Sequence, residues 1–292
     1  GTALDYFYME NPIRFGTATA PVQNPNLKPE KTIDYEVGFQ SKMSNSSAVK
    51  ISAYYKEQRD MIQRRFYANV PAPLNAYQTF GNVDFGTVKG FSFGYDLRRT
   101  GNLQMSFTYT LQFADGSGSD ANSAGGINTR GIIRELFPLT FDERHRINAV
   151  LDYRFASGKA YNGPTIGGYP IFEKTGLNLL LTAVSGRPYS QYQVVDEPLG
   201  QDILSTINEA RLPWLVNADM RLDKQFSLSL GSEEKSRGLN FNVYFRVENL
   251  FNTRNVVDVY NVSGDPDDDG FLASSNGLDQ LAQIESTGRN VD

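Results

Sequence analysis

Three carboxylates near the end of the chain have the spacing of a cation-binding loop. In the segment DPDDDGFLASSN, Asp265, Asp267 and Asp269 occupy alternate positions, and Gly270 follows them. Calcium loops use this spacing because several hard oxygen ligands must converge on a hard cation, with the glycine allowing a sharp turn. Position twelve is Asn276, where such loops carry a bidentate glutamate. The sequence therefore indicates either a weak calcium site or an acidic loop that is merely solvated.

Side chains suited to catalysis are scarce. His145 is the single histidine, and the chain has no cysteine. Nucleophilic triads and most acid–base sites use a histidine, and ordinary zinc or copper sites use histidine or cysteine. The charged neighbours of His145 in DERHRIN predict a locally hydrogen-bonded residue where a loop meets a strand. We therefore expect no enzymatic activity and no required cofactor.

Arginines and tyrosines are the remaining candidates for ligand binding. Arg59, Arg64 and Arg65, in and near QRRFY, could hold an anionic ligand or lipopolysaccharide phosphates through bidentate guanidinium contacts. Four tyrosines in predicted long loops could stack on sugars or on a siderophore: Tyr161, Tyr169, Tyr189 and Tyr192. Surface arginines near a strand end, and aromatic belts or loop packing, are the commoner explanations of such residues. No ligand-binding residue is assigned from the sequence.

Regular alternation supplies the elements that would position these residues. In residues 31–42, Ile33, Tyr35, Val37 and Phe39 point to one side of an extended chain, and polar residues point to the other. Similar alternation predicts further strands near 49–56, 91–98, 103–113, 146–156, 176–184, 213–230 and 239–247. We expect about nine or ten strands in all.

Strand length and charge suggest which face meets water. Alternation through residues 103–113 matches the roughly nine to eleven residues that a tilted strand needs to cross a bilayer. Strands of soluble proteins cluster near five or six residues. The polar side also carries recurring charges, as expected of a barrel lumen: Asp34, Glu36, Lys50, Lys56, Asp96, Arg98 and Asp152. A soluble sandwich or propeller remains the alternative from the pattern alone.

The predicted connections vary in length. Those at 44–47, 100–102 and 231–238 are short or modest, whereas those at 115–145, 157–174 and 186–211 are long and rich in Gly, Ser and Asn. Outer-membrane barrels combine short periplasmic turns with long extracellular loops. The sequence therefore favours an antiparallel transmembrane β-barrel.

Composition excludes other classes. The 292 residues contain no apolar run of the roughly 20 residues that a membrane-spanning helix requires. The 28 basic and 33 acidic residues are spread along the chain and form no basic stripe, so a nucleic-acid partner is disfavoured. No signal peptide is visible at the first residues, and we expect the chain to be the interior of something longer.

Four segments resemble TonB-dependent receptors of the Gram-negative outer membrane. NPNLKPEKTIDYEVGFQ resembles the family's Asn-Pro-Asn-Leu-Lys-Pro-Glu loop and the Tyr-Glu-x-Gly strand that follows it. ELFPLTFDERHRINAVLDYRF is similar to the family's Pro-Leu, Asp-x-Arg-His and strand sequence, and GPTIGG resembles a loop of one subgroup. FRVENLFNTRNV resembles a stretch near the end of the barrel. The segments cover most of the chain and keep the family's order.

The resemblance implies a barrel of about 22 strands that is closed by a plug and imports a scarce ligand. Residues 1–292 would be the C-terminal part of that barrel, with the plug domain and the last strand outside this chain. Expected partners are the TonB complex through the plug, outer-membrane lipid and lipopolysaccharide, and a lipoprotein lid. The ligand would be a siderophore, cobalamin, an oligosaccharide or a peptide. A passive porin or scaffold barrel is the alternative, followed by a secreted carbohydrate-binding β-protein.

Overall fold

The computed structural model describes residues 24–71, 75–121, 136–192, 206–230 and 237–286. One helix, α1 (Ser275–Ser286), and two single 3-10 turns, Gly158–Ala160 and Phe271–Ala273, lie in this part of the chain. The strands are β1 (Lys31–Lys42), β2 (Ser47–Val70), β3 (Asn75–Thr100), β4 (Leu103–Gly116), β5 (Phe137–Pro138), β6 (His145–Arg154), β7 (Thr165–Ile166), β8 (Tyr169–Pro170), β9 (Thr175–Val184), β10 (Pro188–Tyr189), β11 (Ala210–Arg211), β12 (Leu215–Leu230) and β13 (Arg237–Val247). Among the described residues, no helix combines the length and apolar character needed to cross a membrane.

The eight long strands form one antiparallel sheet in the order β1-β2-β3-β4-β6-β9-β12-β13, and the short β5 pairs with β4. The small ribbons β7–β8 and β10–β11 lie in the connections. Within the described residues, β1 and β13 are the two edges of the sheet. The result is an open antiparallel wall, as expected for part of a larger barrel.

The ladder registers put the alternating side chains on two faces of the sheet. Phe107 of β4 lies between Tyr95 of β3 and Ala149 of β6 on one side, which we call the apolar face. Gln104 of β4 lies opposite Asp152 of β6 on the other side, which we call the polar face. Because every long strand pairs with its neighbour in this manner, both faces continue across the sheet.

The apolar face is not the core of a compact body. Val37 on β1 is 72% exposed, and Phe245 on β13 is 61% exposed. Among the described residues, the buried hydrophobic cluster is small and consists of Val88, Ala114 and Leu139. A soluble sandwich would bury its apolar face. The exposure of this face therefore favours contact with lipid.

Strands β2 and β3 extend far beyond the predicted segments. They have 24 and 26 residues, and past Arg59 and Gly86 they pair only with each other among the long strands. We call residues 60–71 and 75–85 the hairpin extension. Its ladder begins with bulges between Gln58 and Ile62, and Asp60 there has φ 56°. A bulge adds one residue and shifts the alternation, which is why the pattern did not predict the extension.

Residues 24–30, the segment before β1, form hydrogen bonds with the base of the hairpin extension. The side chain of Asn82 receives a hydrogen bond from Lys28 N at 2.7 Å and donates one to Lys28 O at 2.8 Å. Asn24 Nδ2 donates to Phe80 O at 2.9 Å, and Ile62 N donates to a carboxylate oxygen of Glu30 at 2.8 Å. The Asn-Pro-Asn-Leu-Lys-Pro-Glu sequence thus bonds to both strands at the base of the extension, and Glu30 satisfies the backbone N–H of Ile62 beside the bulges.

The order of antiparallel strands assigns each connection to an end of the sheet. The turns at 43–46 and 101–102 lie at one end, which we call the short-turn end. The connections after β2, β4 and β9 lie at the opposite, long-loop end. The structure departs from the predicted alternation at one connection, because residues 155–174 follow β6 and therefore belong to the short-turn end.

Candidate functional site

The polar face contains an open cavity near the short-turn end. Its volume is about 450 Å³. Four neighbouring strands, β6, β9, β12 and β13, supply its lining, which consists of Asp152, Arg154, Asn178, Arg221, Asp223 and Asn242. All six side chains are charged or amide side chains, so the cavity is suited to water and to polar ligands.

Strand register brings these residues together. Asp152 of β6 lies opposite Asn178 of β9, and Asn178 lies opposite Arg221 of β12. One step along the polar face, Arg154 lies opposite Gly176, and Gly176 lies opposite Asp223. Because side chains alternate along a strand, these two adjacent rows of the same face supply five of the six lining residues, and Asn242 of β13 lies one row further, opposite Gln225.

Arg154 and Asp223 form an ion pair across the intervening strand β9. Arg154 Nη1 and Nη2 donate to the two carboxylate oxygens of Asp223 at 2.9 and 2.8 Å. The guanidinium passes directly over Gly176, where an added Cβ would lie 2.3 Å from Arg154 Nη2. Any other residue at 176 would displace Arg154, so glycine is required here for the close approach. The bidentate geometry fixes both side chains.

Arg221 has a different environment. Its guanidinium lies over the ring of Tyr244, with Cζ 4.6 Å from the ring centroid. The residue directly opposite on β13 is a second cation, Arg246, whose own partner is Glu248 at 2.9 Å. Within the described ranges Arg221 forms no ion pair, and its side chain is exposed. It is therefore the cavity residue best placed to bind an anionic or polar group.

At the long-loop end, the fully buried Asp142 joins three segments. Its carboxylate accepts hydrogen bonds from Ala114 N at 2.9 Å, from Arg144 Nε at 3.3 Å and from Arg211 Nη2. Arg211 also donates to Asp142 O at 2.8 Å. The carboxylate thus connects the end of β4 and the end of β11 with the loop that contains it.

Glu143 forms a second ionic cluster beside this one. Its carboxylate accepts hydrogen bonds from Arg187 Nε at 2.8 Å and from Arg146 Nη2. Burial favours the neutral acid, but the hydrogen bonds and charges of Arg187 and Arg146 outweigh it and lower the pKa of Glu143. The ionised form is therefore the one that the fold stabilises.

Asp84, in the hairpin extension, shows the opposite behaviour. Gln63 Nε2 donates to its carboxylate at 2.8 Å, and Ser117 Oγ donates at 3.1 Å. Burial raises the pKa of Asp84, and these two neutral donors only partly oppose that effect. Asp84 thus connects the loop after β4 with the extension, and burial disfavours its ionised form.

His145 begins β6, as its charged neighbours predicted. The OH of Tyr109 lies 2.9 Å from His145 Nδ1, and the imidazole stacks on Trp214 with ring centroids 5.6 Å apart. The backbone N–H of His145 donates to Ser185 Oγ at 2.9 Å. His145 is thus a member of an aromatic cluster on the apolar face.

Comparison with known proteins identifies the family and the surroundings of the two faces. The family model described as TonB dependent receptor-like, beta-barrel matches residues 3–250. The chain belongs to this family. It is therefore part of a transmembrane β-barrel of the TonB-dependent receptor type, and the prediction made from its four segments is confirmed. No curated protein sequence matches the chain.

The fold is similar to that of one solved transporter structure, and a second aligns less well. The outer membrane transporter YddB from Escherichia coli aligns with a TM-score of 0.52 at 12% identity, over 81% of this chain and 30% of that chain. The FrpB iron transporter from Neisseria meningitidis, F3-3 variant, aligns with a TM-score of 0.47 at 15% identity, over 80% of this chain and 29% of that chain. The chain spans less than a third of the length of either transporter.

In a TonB-dependent receptor barrel the apolar face contacts lipid and the polar face lines the lumen. Aromatic side chains lie at both ends of β6 on the apolar face, with His145 at the long-loop end and Tyr153 at the other. The eight residue steps from one to the other span about 26 Å of strand. With a tilt of about 40°, this corresponds to a height of about 20 Å, close to the apolar band of about 25 Å in such barrels.

The predicted calcium loop is not assembled as a metal site in the structure. Carboxylate oxygens of Asp265 and Asp269 accept backbone hydrogen bonds, from Asp267 N and Phe271 N, both at 2.8 Å. Gly270 has φ 76°, as expected for a sharp turn. In the described part of the chain, no three His, Cys, Asp or Glu side chains are grouped to hold a metal ion. Calcium binding at Asp265, Asp267 and Asp269 stays a prediction.

The predicted arginine cluster does not form one binding site. Arg59 pairs with Glu57. Arg64 Nε donates to Gln78 Oε1, and Arg65 lies over the ring of Tyr67 at 5.2 Å. These residues lie within β2, instead of at the end of a strand as the sequence suggested.

The four loop tyrosines are divided between the two ends of the sheet. Tyr161 and Tyr169 lie at the short-turn end, whereas Tyr189 and Tyr192 lie at the long-loop end. They cannot stack on one ligand together. The cavity residues Arg154, Arg221 and Asp223 were not singled out from the sequence, although the alternating charges of ADMRLDK carry a signal for the polar face.

Proposed function

We propose that this chain forms part of the wall of an outer-membrane importer, in a Gram-negative bacterium, that takes up a scarce ligand with energy delivered through TonB. Membership of the TonB-dependent receptor barrel family supports this proposal. The polar face adds physical support, because it would line a water-filled or plug-filled lumen with polar groups that a ligand can contact. No bond chemistry by this chain is required.

The polar-face cavity is the observation that carries the proposal. Arg154 and Asp223 neutralise each other, whereas the exposed Arg221 is available to a partner. An anionic group of the ligand, or of a plug domain that fills the lumen, is the chemistry that Arg221 fits. Siderophores, cobalamin, oligosaccharides and peptides all carry such groups or hydrogen-bonding equivalents. Lipopolysaccharide at the apolar face and a lipoprotein lid over the long loops complete the proposed partners.

A conductance measurement separates an importer from a passive porin, which would share both faces of the wall. The full-length receptor is reconstituted into planar lipid bilayers. A plugged importer is expected to show little steady conductance. Stable ohmic conductance of the untreated protein would contradict the importer and support the porin.

A growth experiment then tests energised import. Cells with and without the receptor, each with and without TonB, grow on limiting iron, cobalamin, oligosaccharide or peptide. We expect one nutrient to support growth only when receptor and TonB are both present, and that nutrient identifies the ligand class. Equal use of all four nutrients without TonB would overturn the proposal. Release of the receptor into the soluble fraction would favour a carbohydrate-binding β-protein instead.

A further inference from the structure

The connection at residues 155–174 is an ordered structure at the end of the sheet where the neighbouring turns are tight. The turns at 43–46 and 101–102 only reverse the chain. In contrast, residues 155–174 contain a 3-10 turn, Gly158–Ala160, and the ribbon β7–β8. We call this connection the rim segment.

The rim segment has its own small core. The ring of Phe155 lies 5.8 Å from that of Tyr161 and 5.9 Å from that of Phe172, between centroids. Tyr161 OH donates to Pro164 O at 2.6 Å, and Gly158 N donates to Glu173 Oε1 at 2.6 Å. Aromatic packing and hydrogen bonds therefore give the segment a defined shape.

Three contacts put residues 155–171 of the rim segment beside the apolar face, whereas its last residue, Lys174, donates to Ser227 Oγ of the polar face at 2.7 Å. Phe155 packs against Tyr153, an apolar-face residue, with ring centroids 5.3 Å apart. Asn102 Nδ2 donates both to Tyr153 OH at 3.1 Å and to Asn162 Oδ1 at 2.7 Å.

The third contact comes from another strand. Lys224 has the same alternation parity as the apolar-face residue Leu222 of β12, and its ammonium group donates to Ile171 O. The rim segment is thus fixed to the lipid-facing side at two separate strands, β6 and β12.

The ribbon β7–β8 carries two large exposed side chains. Ile166 lies directly opposite Tyr169, so both point to the same side of the ribbon. They are 67% and 77% exposed. The turn between them, Gly167 and Gly168, has φ values of 58° and 83°, the backbone that a two-residue hairpin requires. A rigid ribbon thereby holds an aliphatic and an aromatic side chain in an exposed position.

We propose that the rim segment is a membrane-interface anchor that inserts Ile166 and Tyr169 into the phospholipid headgroup region at the short-turn end. The segment is continuous with the lipid-facing band through Tyr153 and Phe155. Tyrosine is favoured at this depth because its ring is apolar and its hydroxyl is wet. The exposed Lys159 in the same segment suits anionic headgroups. The inference rests on the proposed function only in requiring that the wall spans the membrane.

Spin labels at three positions test this anchor in the full receptor, reconstituted in phosphatidylethanolamine and phosphatidylglycerol vesicles. The chain has no cysteine, so each introduced cysteine is unique within it. Tyr169→Cys reports on the rim segment. Asn45→Cys, in the exposed turn at the same end, is the matched control, and Leu181→Cys reports on the apolar face. Accessibility of each label to oxygen and to a water-soluble nickel chelate is measured.

We expect the ratio of oxygen to nickel accessibility to be several-fold higher at 169 than at 45, and highest at 181. Adding Ile166→Asp should lower the ratio at 169 toward that at 45. A label at 169 that is as accessible to nickel as the label at 45 would overturn the anchor. A label shielded from both reagents would also overturn it, because a protein would then cover the ribbon. If the label at 181 is also exposed to nickel, the transmembrane wall itself is wrong.

Discussion

The long-loop end and the short-turn end of the sheet hold their connections by different kinds of contact. At the long-loop end, the buried carboxylate of Asp142 receives charged hydrogen bonds from Arg211. At the short-turn end, the rim segment is held by stacked rings, such as those of Phe155 and Phe172. Charged hydrogen bonds fix the buried polar part of this loop, next to the buried Leu139, whereas exposed aromatic side chains are favoured where lipid meets water. The two ends are built for different surroundings.

The stability of the long-loop end should be more sensitive to a single substitution than that of the short-turn end. Arg211→Ala leaves the buried Asp142 without its main cation, and breaking one side of a buried ion pair costs about 3–5 kcal/mol. We expect the lower part of this range, because Arg144 still donates to Asp142. Hydrogen exchange measured by mass spectrometry on the full receptor should increase strongly near residues 139–142 and 206–212.

Arg187→Ala is the matched control for that variant, since Arg146 continues to pair with Glu143 when Arg187 is lost. Its effect on exchange should be much smaller. Equal effects of Arg187→Ala and Arg211→Ala would show that burial of the carboxylate does not decide the strength of these clusters.

The contrast between the ends presumes that lipid surrounds the wall between them. Phe107→Asp puts a carboxylate on the apolar face and should reduce stability by about 2 kcal/mol near the middle of the membrane. Gln104→Asp changes the polar face of the same strand and should be mild. The folded fraction in isolated outer membranes measures both. Comparable assembly of the two variants would reverse the assignment of the faces.

At the short-turn end, the shape of the rim segment depends on a left-handed turn. Gly167 has φ 58°, and no heavy atom lies within 4 Å of the position a Cβ would occupy. Gly167→Ala therefore adds only backbone strain, of about 1 kcal/mol. Hydrogen exchange should rise within the rim segment and stay constant at 139–142. Gly167→Asn should cost less, because asparagine tolerates this conformation; equal costs would place the strain elsewhere.

Acid should also destabilise the long-loop end, and this effect should be smaller than those of the substitutions above. The pKa of Glu143 is lower in the folded protein than in the unfolded chain, so its contribution is present above the unfolded value and is lost as pH falls through the folded value. Protection factors near Arg187, which correct for the slower intrinsic amide exchange in acid, should therefore fall at acid pH. Glu143→Gln should remove that fall, whereas protection around the uncharged contacts of Phe155 and Phe172 should not respond.

Asp84 has the opposite effect on stability as the pH falls, so the Glu143→Gln variant is needed to isolate the contribution of Glu143. Burial raises its pKa, so its contribution to stability is present at low pH and is lost as pH rises through the folded value. The change in stability of the long-loop end with pH therefore combines a loss from Glu143 and an opposing gain from Asp84 as the pH falls. An acid response that persists unchanged in Glu143→Gln would assign it to groups other than Glu143.

Much of the wall could be predicted from alternation, because a strand with one lipid face repeats every two residues. The predicted strand at 31–42 coincides with β1. The hairpin extension could not be predicted in the same way. The bulges near Asp60 shift the alternation of its residues. In addition, neither β1 nor β4 pairs with it, so it does not share the lipid-facing pattern of the wall.

The candidate site depended on information that a single strand does not contain. Asp152 was assigned to the polar side from its own strand. The pairing of Arg154 with Asp223 requires the register of three strands and the absence of a side chain at Gly176. The position of the rim segment likewise required the strand order, because length alone placed it with the long loops.

The grip of the segment before β1 on the hairpin extension has a mechanical consequence. Asn82 bonds to both backbone groups of Lys28, and Glu30 holds Ile62 just beyond the bulge. Movement of the described part of the extension relative to residues 28–30 would therefore have to break these hydrogen bonds. Because residues 28–30 lead directly into β1, the orientation of the extension is coupled to the edge strand of the sheet.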